Sequence, residues 1–287
     1  MSPRPRLLAT GFGFTEGPLY HPTTGEVIFS DLLHDVRRAW HPHRGVRVLR
    51  RPTNLANGLA LDAVHRLLAC EHATSRVTRE ADDGTVETVA SHWQGRELNS
   101  PNDLIVGADG DVYFTDPTYG RRERLGVPRE QQLDFQGVYR VDPDGRLHLL
   151  ATDFAQPNGI CLSPDAGRLY VADTQRAEVR SVRMEGPVPV GPWSVLAAGL
   201  SDARRPGRPD GLLCSRDGEI LVTGPGGIHV LDPAGRTLRV IHVPEKAHNM
   251  TWGGADRRDL YIAAGGSLYH VRLPVGGVPD RPTRPPA

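Results

Sequence analysis

The 287-residue sequence predicts an all-β fold: a six-bladed β-propeller with four-stranded blades, its ring closed by an N-terminal strand. Three observations predict it. Strand-like runs are short, rich in Val, Ile, Leu and Tyr, and separated by Gly, Pro and Asp turns. No long window carries the period of an amphipathic helix. One pattern recurs six times: a polar residue, an apolar run, a turn with Asp or Gly, then an alternating strand.

The copies read EGPLYHPTTGEVIFSD from Glu16, NGLALDAVHRLLAC from Asn57, NDLIVGADGDVYFTD from Asn102, NGICLSPDAGRLYVAD from Asn158, DGLLCSRDGEILVTG from Asp210 and NMTWGGADRRDLYIAA from Asn249. About nine residues separate each leading polar residue from the second strand, and copies start roughly 40 to 56 residues apart, the length of a four-stranded sheet. Further strand pairs follow, as in GVYRVDPDGRLHLLA and GIHVLDPAGRTLRVI, whose D-P-x-G turns suit tight hairpins. A sandwich accommodates short strands but does not explain a sixfold repeat with one preserved position. The last copy supplies about three strands, so Arg6–Thr10 is expected to add the fourth and close the ring. This frames a single domain over 1–275, followed by a Pro-rich tail over 276–287 expected to be disordered.

Composition excludes several classes. Lys and Arg total 34 and Asp and Glu 34, a formal net charge of zero, which removes the electrostatic reason to invoke nucleic acid or an anionic membrane. No apolar run is long enough to span a bilayer, and the start MSPRPRLLATGFGF lacks the apolar core of a signal peptide, so a cytoplasmic location is expected. Cys70, Cys161 and Cys214 lie far apart in apolar contexts and read as small buried hydrophobes. Lys246 is the only lysine among the 34 basic residues, which argues against Schiff-base and P-loop chemistry. GFGFTEG lacks dinucleotide-loop spacing, no G-x-S-x-G or H-E-x-x-H occurs, and His41 and His43 in WHPHRG read as turn residues.

In a propeller the innermost strands line a central channel and begin at one mouth. Glu16, Asn57, Asn102, Asn158, Asp210 and Asn249 therefore converge. Each is a carboxylate or an amide, a set that satisfies itself poorly, and neighbouring carboxylates repel unless a cation intervenes. Two carboxylates with neutral carbonyl oxygens and no His or Cys match one hard divalent cation. Ca2+ fits best, with Mg2+, Mn2+ or Zn2+ as alternatives.

EGPLY, LNSPNDLIV, DVYFTDPTYG, QPNGICLSPD and RPDGLLC together resemble the SMP-30/gluconolactonase/luciferin-regenerating enzyme family, in family order from about residue 10 to 273. The resemblance implies a six-bladed propeller with a divalent metal, often calcium, at the channel mouth. It implies Glu16, Asn102, Asn158 and Asp210 as metal ligands and leaves Asn57 and Asn249 outside the direct ligand set. Members acting on sugar lactones often carry an arginine where this chain has Ser100, so LNSPND marks another branch.

The chemistry expected is metal-assisted opening of a lactone or similar small cyclic ester, with Asp210 as general base or nucleophile. Asp103 is expected to point opposite to Asn102 along the strand and to support the ligands or bond backbone amides. The insertion over 118–137 is long enough to form a lid, placing Tyr119, Arg121 and Arg122 near substrate. His248, beside Asn249, is a candidate for proton transfer. The same mouth also suits phosphotriester hydrolysis, ring chemistry in a biosynthetic pathway, or a non-catalytic calcium-binding scaffold. Oligomeric state is not legible in the sequence.

Overall fold

The structure, a computed structural model, describes residues 4–81 and 83–278. Among these the strands form six four-stranded antiparallel sheets and one two-stranded hairpin. Blade one comprises Thr15–His21, Glu26–Asp31, Val36–His41 and Gly45–Arg50; blade two comprises Ala56–Leu61, Leu67–Glu71, Arg76–Glu80 and Val86–Ala90. Blade three is Leu104–Val106, Val112–Asp116, Gln136–Val141 and Leu147–Phe154, and blade four is Pro157–Leu162, Arg168–Asp173, Glu178–Glu185 and Val188–Ala197. Leu212–Cys214, Ile220–Gly224, Gly227–Leu231 and Thr237–His242 make blade five. Blade six combines Ala247–Gly253, Asp259–Ala264 and Ser267–Arg272 with Arg6–Thr10 from the other end of the chain.

That last pairing is the expected closure: Arg6 faces His270 and Thr10 faces Ser267. Side chains reinforce it. Thr15 Oγ1 donates to the carbonyls of Gly265 (3.2 Å) and Ser267 (3.0 Å), and Ser267 Oγ donates to Thr10 Oγ1 at 2.9 Å. The D-P-x-G turns also form as read, with Asp142 and Asp232 each accepting a backbone N–H four residues on, from Arg146 at 2.8 Å and Arg236 at 2.9 Å.

The core lies between blades rather than in one centre. Each neighbouring pair of sheets traps its own apolar layer, as twisted sheets packed face to face must. Ile28 and Ala39 of blade one meet Leu59 and Ala69 of blade two. Leu68 and Val77 of blade two meet Phe114 and Tyr139 of blade three. The pattern continues through Val138 and Val171, Tyr170 and Val222, then Val230 and Ile262. Val27 and Phe29 close the circuit against Leu268 of blade six. Cys70, Cys161 and Cys214 are free and buried in these layers.

The insertion over 118–137 is fastened down. A short 3-10 turn, Tyr119–Arg121, is followed by a segment lying over blade two and the hairpin His92–Trp93/Arg96–Glu97. Arg121 donates to Glu97 Oε2 at 2.8 Å and to the Leu98 carbonyl at 2.7 Å, Arg129 reaches Glu97 at 3.2 Å, and Leu133 is buried. At the other end, Arg216 N–H donates to the Gly276 carbonyl at 2.8 Å and Gly277 N–H to that of Arg257 at 2.9 Å. The chain is thus still docked where the tail was expected to begin, and 279–287 lie outside the described residues. Among the described residues no helix is long and apolar enough to cross a membrane.

Candidate active site

Close contact between successive inner strands brings the six leading residues together. In four blades the next residue is glycine. A Cβ on Gly17 would meet the Asn57 carbonyl oxygen at 2.1 Å, on Gly58 that of Asn102 at 2.6 Å, on Gly159 that of Asp210 at 2.1 Å, and on Gly211 the Asn249 amide oxygen at 2.3 Å. Each obstacle belongs to the leading residue of the next blade. Only glycine permits this approach, and its N–H uses it: Gly58 donates to Asn102 O (2.8 Å) and Gly159 to Asp210 O (2.9 Å). Glu16, Asn57, Asn102, Asn158 and Asn249 are buried, and Asp210 alone keeps partial exposure.

Acidic residues ending the second strands set up these positions. Asp31 accepts the N–H of Gly13 at 2.9 Å, Asp116 those of Asn99 and Ser100 at 2.8 Å each, and Asp173 that of Ala155 at 2.7 Å. Each clamps the segment just before Glu16, Asn102 or Asn158. In blade five, Thr223 Oγ1 accepts the N–H of Asp210 itself at 3.0 Å.

The electrostatics are those of crowded carboxylates. Burial holds Glu16 well above the usual carboxylate range, and the charges of Asp210 and Asp103 push it further, against the Gly17 N–H bonded to its Oε2 at 3.0 Å. Burial raises Asp210 to about 6, opposed by Lys246 and a hydrogen bond with Asn158. Burial likewise raises Asp103 to about 7, opposed by backbone N–H bonds and the Asn249 amide. Asp103 therefore corrects the expectation that it points away. Asn102 and Asp103 both pair with the single residue Thr115, Asn102 N–H donating to Thr115 O at 2.9 Å and Thr115 N–H to Asp103 O at 3.0 Å, so strict side-chain alternation is broken at 102–103. Asp103 occupies the place glycine takes in four other blades, and its carboxylate stays in the channel, accepting Leu104 N–H at 3.1 Å.

Three acids destabilised in their charged forms, with amide oxygens beside them, fit a hard divalent cation. Asn57 Oδ1 adds a buried oxygen without a hydrogen-bond partner. Among the described residues no three His, Cys, Asp or Glu side chains form a metal cluster. A donor set for a cation at this mouth would have to include asparagine amide oxygens as well as carboxylates.

The amides are held at their NH2 ends. Asn158 Nδ2 donates to Thr174 Oγ1 at 3.1 Å, and Thr174 Oγ1 donates to the Pro209 carbonyl at 2.6 Å. Asn57 Nδ2 and Asn102 Nδ2 both approach His72 Nε2, at 3.2 and 3.5 Å, while His72 Nδ1 lies 2.9 Å from the Leu125 carbonyl oxygen. Burial lowers His72 to about 4, so its ring is neutral. Asn249 Oδ1 accepts Met250 N–H at 2.8 Å, and its amide also bonds Glu16 and Asp103.

The expected substrate-side residues divide. Tyr119 reaches the site: its hydroxyl bonds Thr174 and Asn158, and burial together with the Asp210 charge pushes it to about 12. Arg122 stacks over its ring at 5.7 Å. Arg121 does not reach the site, because Glu97 and Leu98 hold its guanidinium inside the insertion. Ser100 is fully buried; its Oγ donates to Pro117 O (2.6 Å) and accepts Gly120 N–H (2.8 Å), which secures the turn carrying Tyr119. His248 donates from Nδ1 to Thr15 O at 3.1 Å and stacks on Phe14 at 4.1 Å; burial lowers it to about 4, leaving a neutral ring with a bare Nε2. His72 and Thr174 were missed in the sequence, although both directly follow the acidic residue that ends a second strand, a register the repeat makes visible.

Comparison with known proteins places the chain in a family with this fold. The family model described as SMP-30/Gluconolactonase/LRE-like region matches residues 14–266. A gluconolactonase of Zymomonas mobilis is 29% identical over 94% of this chain and 82% of its own. A solved gluconolactonase of Xanthomonas campestris superposes with a TM-score of 0.87 at 31% identity, covering 96% of this chain and 95% of that one. A calcium-binding regucalcin of Agrobacterium tumefaciens shares the fold, with a TM-score of 0.80 at 20% identity over 99% of this chain and 97% of its own.

Proposed function

Since the chain belongs to the SMP-30/gluconolactonase/LRE-like family, we propose that it is a lactone-hydrolysing enzyme dependent on one divalent cation, Ca2+ in the first instance, held by Glu16, Asn102, Asn158 and Asp210. The observation that carries this reading is Asp210: it alone of the six leading residues is partly exposed, and it sits among two other carboxyls raised by burial. Sugar-acid lactones are the first class to test, given the gluconolactonases at 29% and 31% identity.

When bound, the ion supplies polarisation of the ester carbonyl. Asp210, held ionised beside the cation, takes a proton from the attacking water. Water oxygen adds to the carbonyl carbon, the ring C–O bond breaks, and Asp210 returns the proton to the departing ring oxygen. The products are one alcohol and one carboxylic acid, which releases its proton to solvent to become the carboxylate. Tyr119, bonded to Asn158, forms the wall beside the reacting ester. Asn249 holds Glu16 and Asp103 by hydrogen bonds and keeps both carboxylates in place.

The test is a pH-stat assay of the calcium-loaded protein against aldono-, aliphatic and aromatic lactones. Turnover of at least one class is expected, and no turnover of any would sink the proposal. Single turnover in 18O-water separates general base from nucleophile. A base puts the label into product in the first turnover, whereas a carboxylate nucleophile whose anhydride is opened at the aspartyl carbon delivers its own unlabelled oxygen and leaves the label on Asp210.

A further inference from the structure

We infer that His72 is a positioning residue that sets the amide orientation of Asn102, with Asn57 beside it, so that both turn their carbonyl oxygens away from the imidazole and into the channel. This rests on the metal-centre reading above.

A carbonyl oxygen can only accept, so the 2.9 Å contact between His72 Nδ1 and Leu125 O requires the proton on Nδ1. Nε2 then presents a lone pair. The two groups approaching it, Asn57 Nδ2 at 3.2 Å and Asn102 Nδ2 at 3.5 Å, can only donate. Because an amide is planar, fixing its NH2 on His72 places Oδ1 on the far side. A flipped Asn102 would set its oxygen against the Nε2 lone pair and lose the bond. The buried Asn57 Oδ1 has no hydrogen-bond partner, as expected of an amide oxygen turned away from the imidazole.

The grip on His72 comes from the 118–137 insertion. Leu125 fixes the tautomer, and Arg129 Nη2 donates to the His72 carbonyl at 3.3 Å. Gly120 packs so closely that a Cβ there would meet His72 Cβ at 2.6 Å. The insertion thus acts as a brace behind a ligand rather than as a cover over the mouth. Thr174 does the same for Asn158 in blade four, through a hydroxyl committed to Pro209 O.

The test compares wild type with H72F and H72Q by calcium titration calorimetry, alongside long-range 1H–15N NMR of the wild-type imidazoles. The expected result is a roughly 10- to 100-fold weaker calcium affinity in H72F, typical of a lost supporting hydrogen bond. H72Q should recover part of it, because its amide oxygen can accept from both asparagines. The NMR is expected to show His72 with a protonated Nδ1 and a bare Nε2. Wild-type-like affinity in H72F, or a proton on Nε2, overturns the inference while leaving the metal centre standing. A wild-type protein that binds no calcium overturns the metal-centre reading itself. If H72F fails to fold, the tautomer and H72Q decide the matter.

Discussion

Gly159 N–H donates to the Asp210 carbonyl at 2.9 Å, so the residue after one proposed ligand is bonded to the backbone of another on the next blade. The site is thereby coupled around the ring, and a disturbance at one inner strand is felt at its neighbour.

A Cβ at Gly159 has nowhere to go, with Asp210 O at 2.1 Å. Gly159→Ala is expected to destabilise the protein by about 1–3 kcal/mol through overpacking and to weaken calcium binding in addition. Urea unfolding and calorimetry measure the two effects separately. Unchanged calcium affinity in a folded G159A variant counts against the coupling.

Asp210→Asn keeps an oxygen at the site and removes the base. A fall in kcat of about 10²- to 10⁴-fold is expected, the usual share of a general base, with calcium still bound at reduced affinity. Retention of near wild-type kcat would show that the proton goes elsewhere.

Metal-free stability should fall as pH rises, and the stabilisation added by calcium should grow over the same range. Asp103 moves from 3.8 to about 7 and Asp210 from 3.8 to about 6 on folding, and Glu16 also moves up. Between those values the folded state holds protons the unfolded chain has released. The metal-free protein therefore loses stability as pH rises through this window, with no loss below it and the full loss above it. Calcium displaces those protons, so its stabilising effect should grow from pH 5 to pH 8. Melting temperatures with EDTA and with calcium measure this, and a calcium increment independent of pH contradicts it.

Tyr119→Phe removes the hydroxyl bonded to Asn158 and Thr174. One such bond contributes about 1 kcal/mol, so kcat/KM should fall about fivefold, with the apolar wall intact. A change confined to thermal stability would assign Tyr119 to the scaffold.

The repeat made the architecture legible before any coordinates. Period, turn chemistry and strand composition are local properties, and the closure by Arg6–Thr10 followed from counting strands in the last copy. The leading polar positions were legible for the same reason, since a sixfold repeat places equivalent residues around one axis. Asp103 was misread because strict alternation was assumed where Asn102 and Asp103 both pair with Thr115. Arg121 was misread because its partner Glu97 lies in a separate hairpin, a pairing no local pattern announces.

The sequence by itself determined the blades, their closure and the six oxygen-bearing leading positions from Glu16 to Asn249, because the repeat and its turn residues are written along the chain. Only the tertiary structure decided how those groups are aimed. Hydrogen bonds from Asn102 to His72, from Asn158 to Thr174 and from Asn249 to Asp103 join residues brought together by packing, and that geometry exists only once the blades have met.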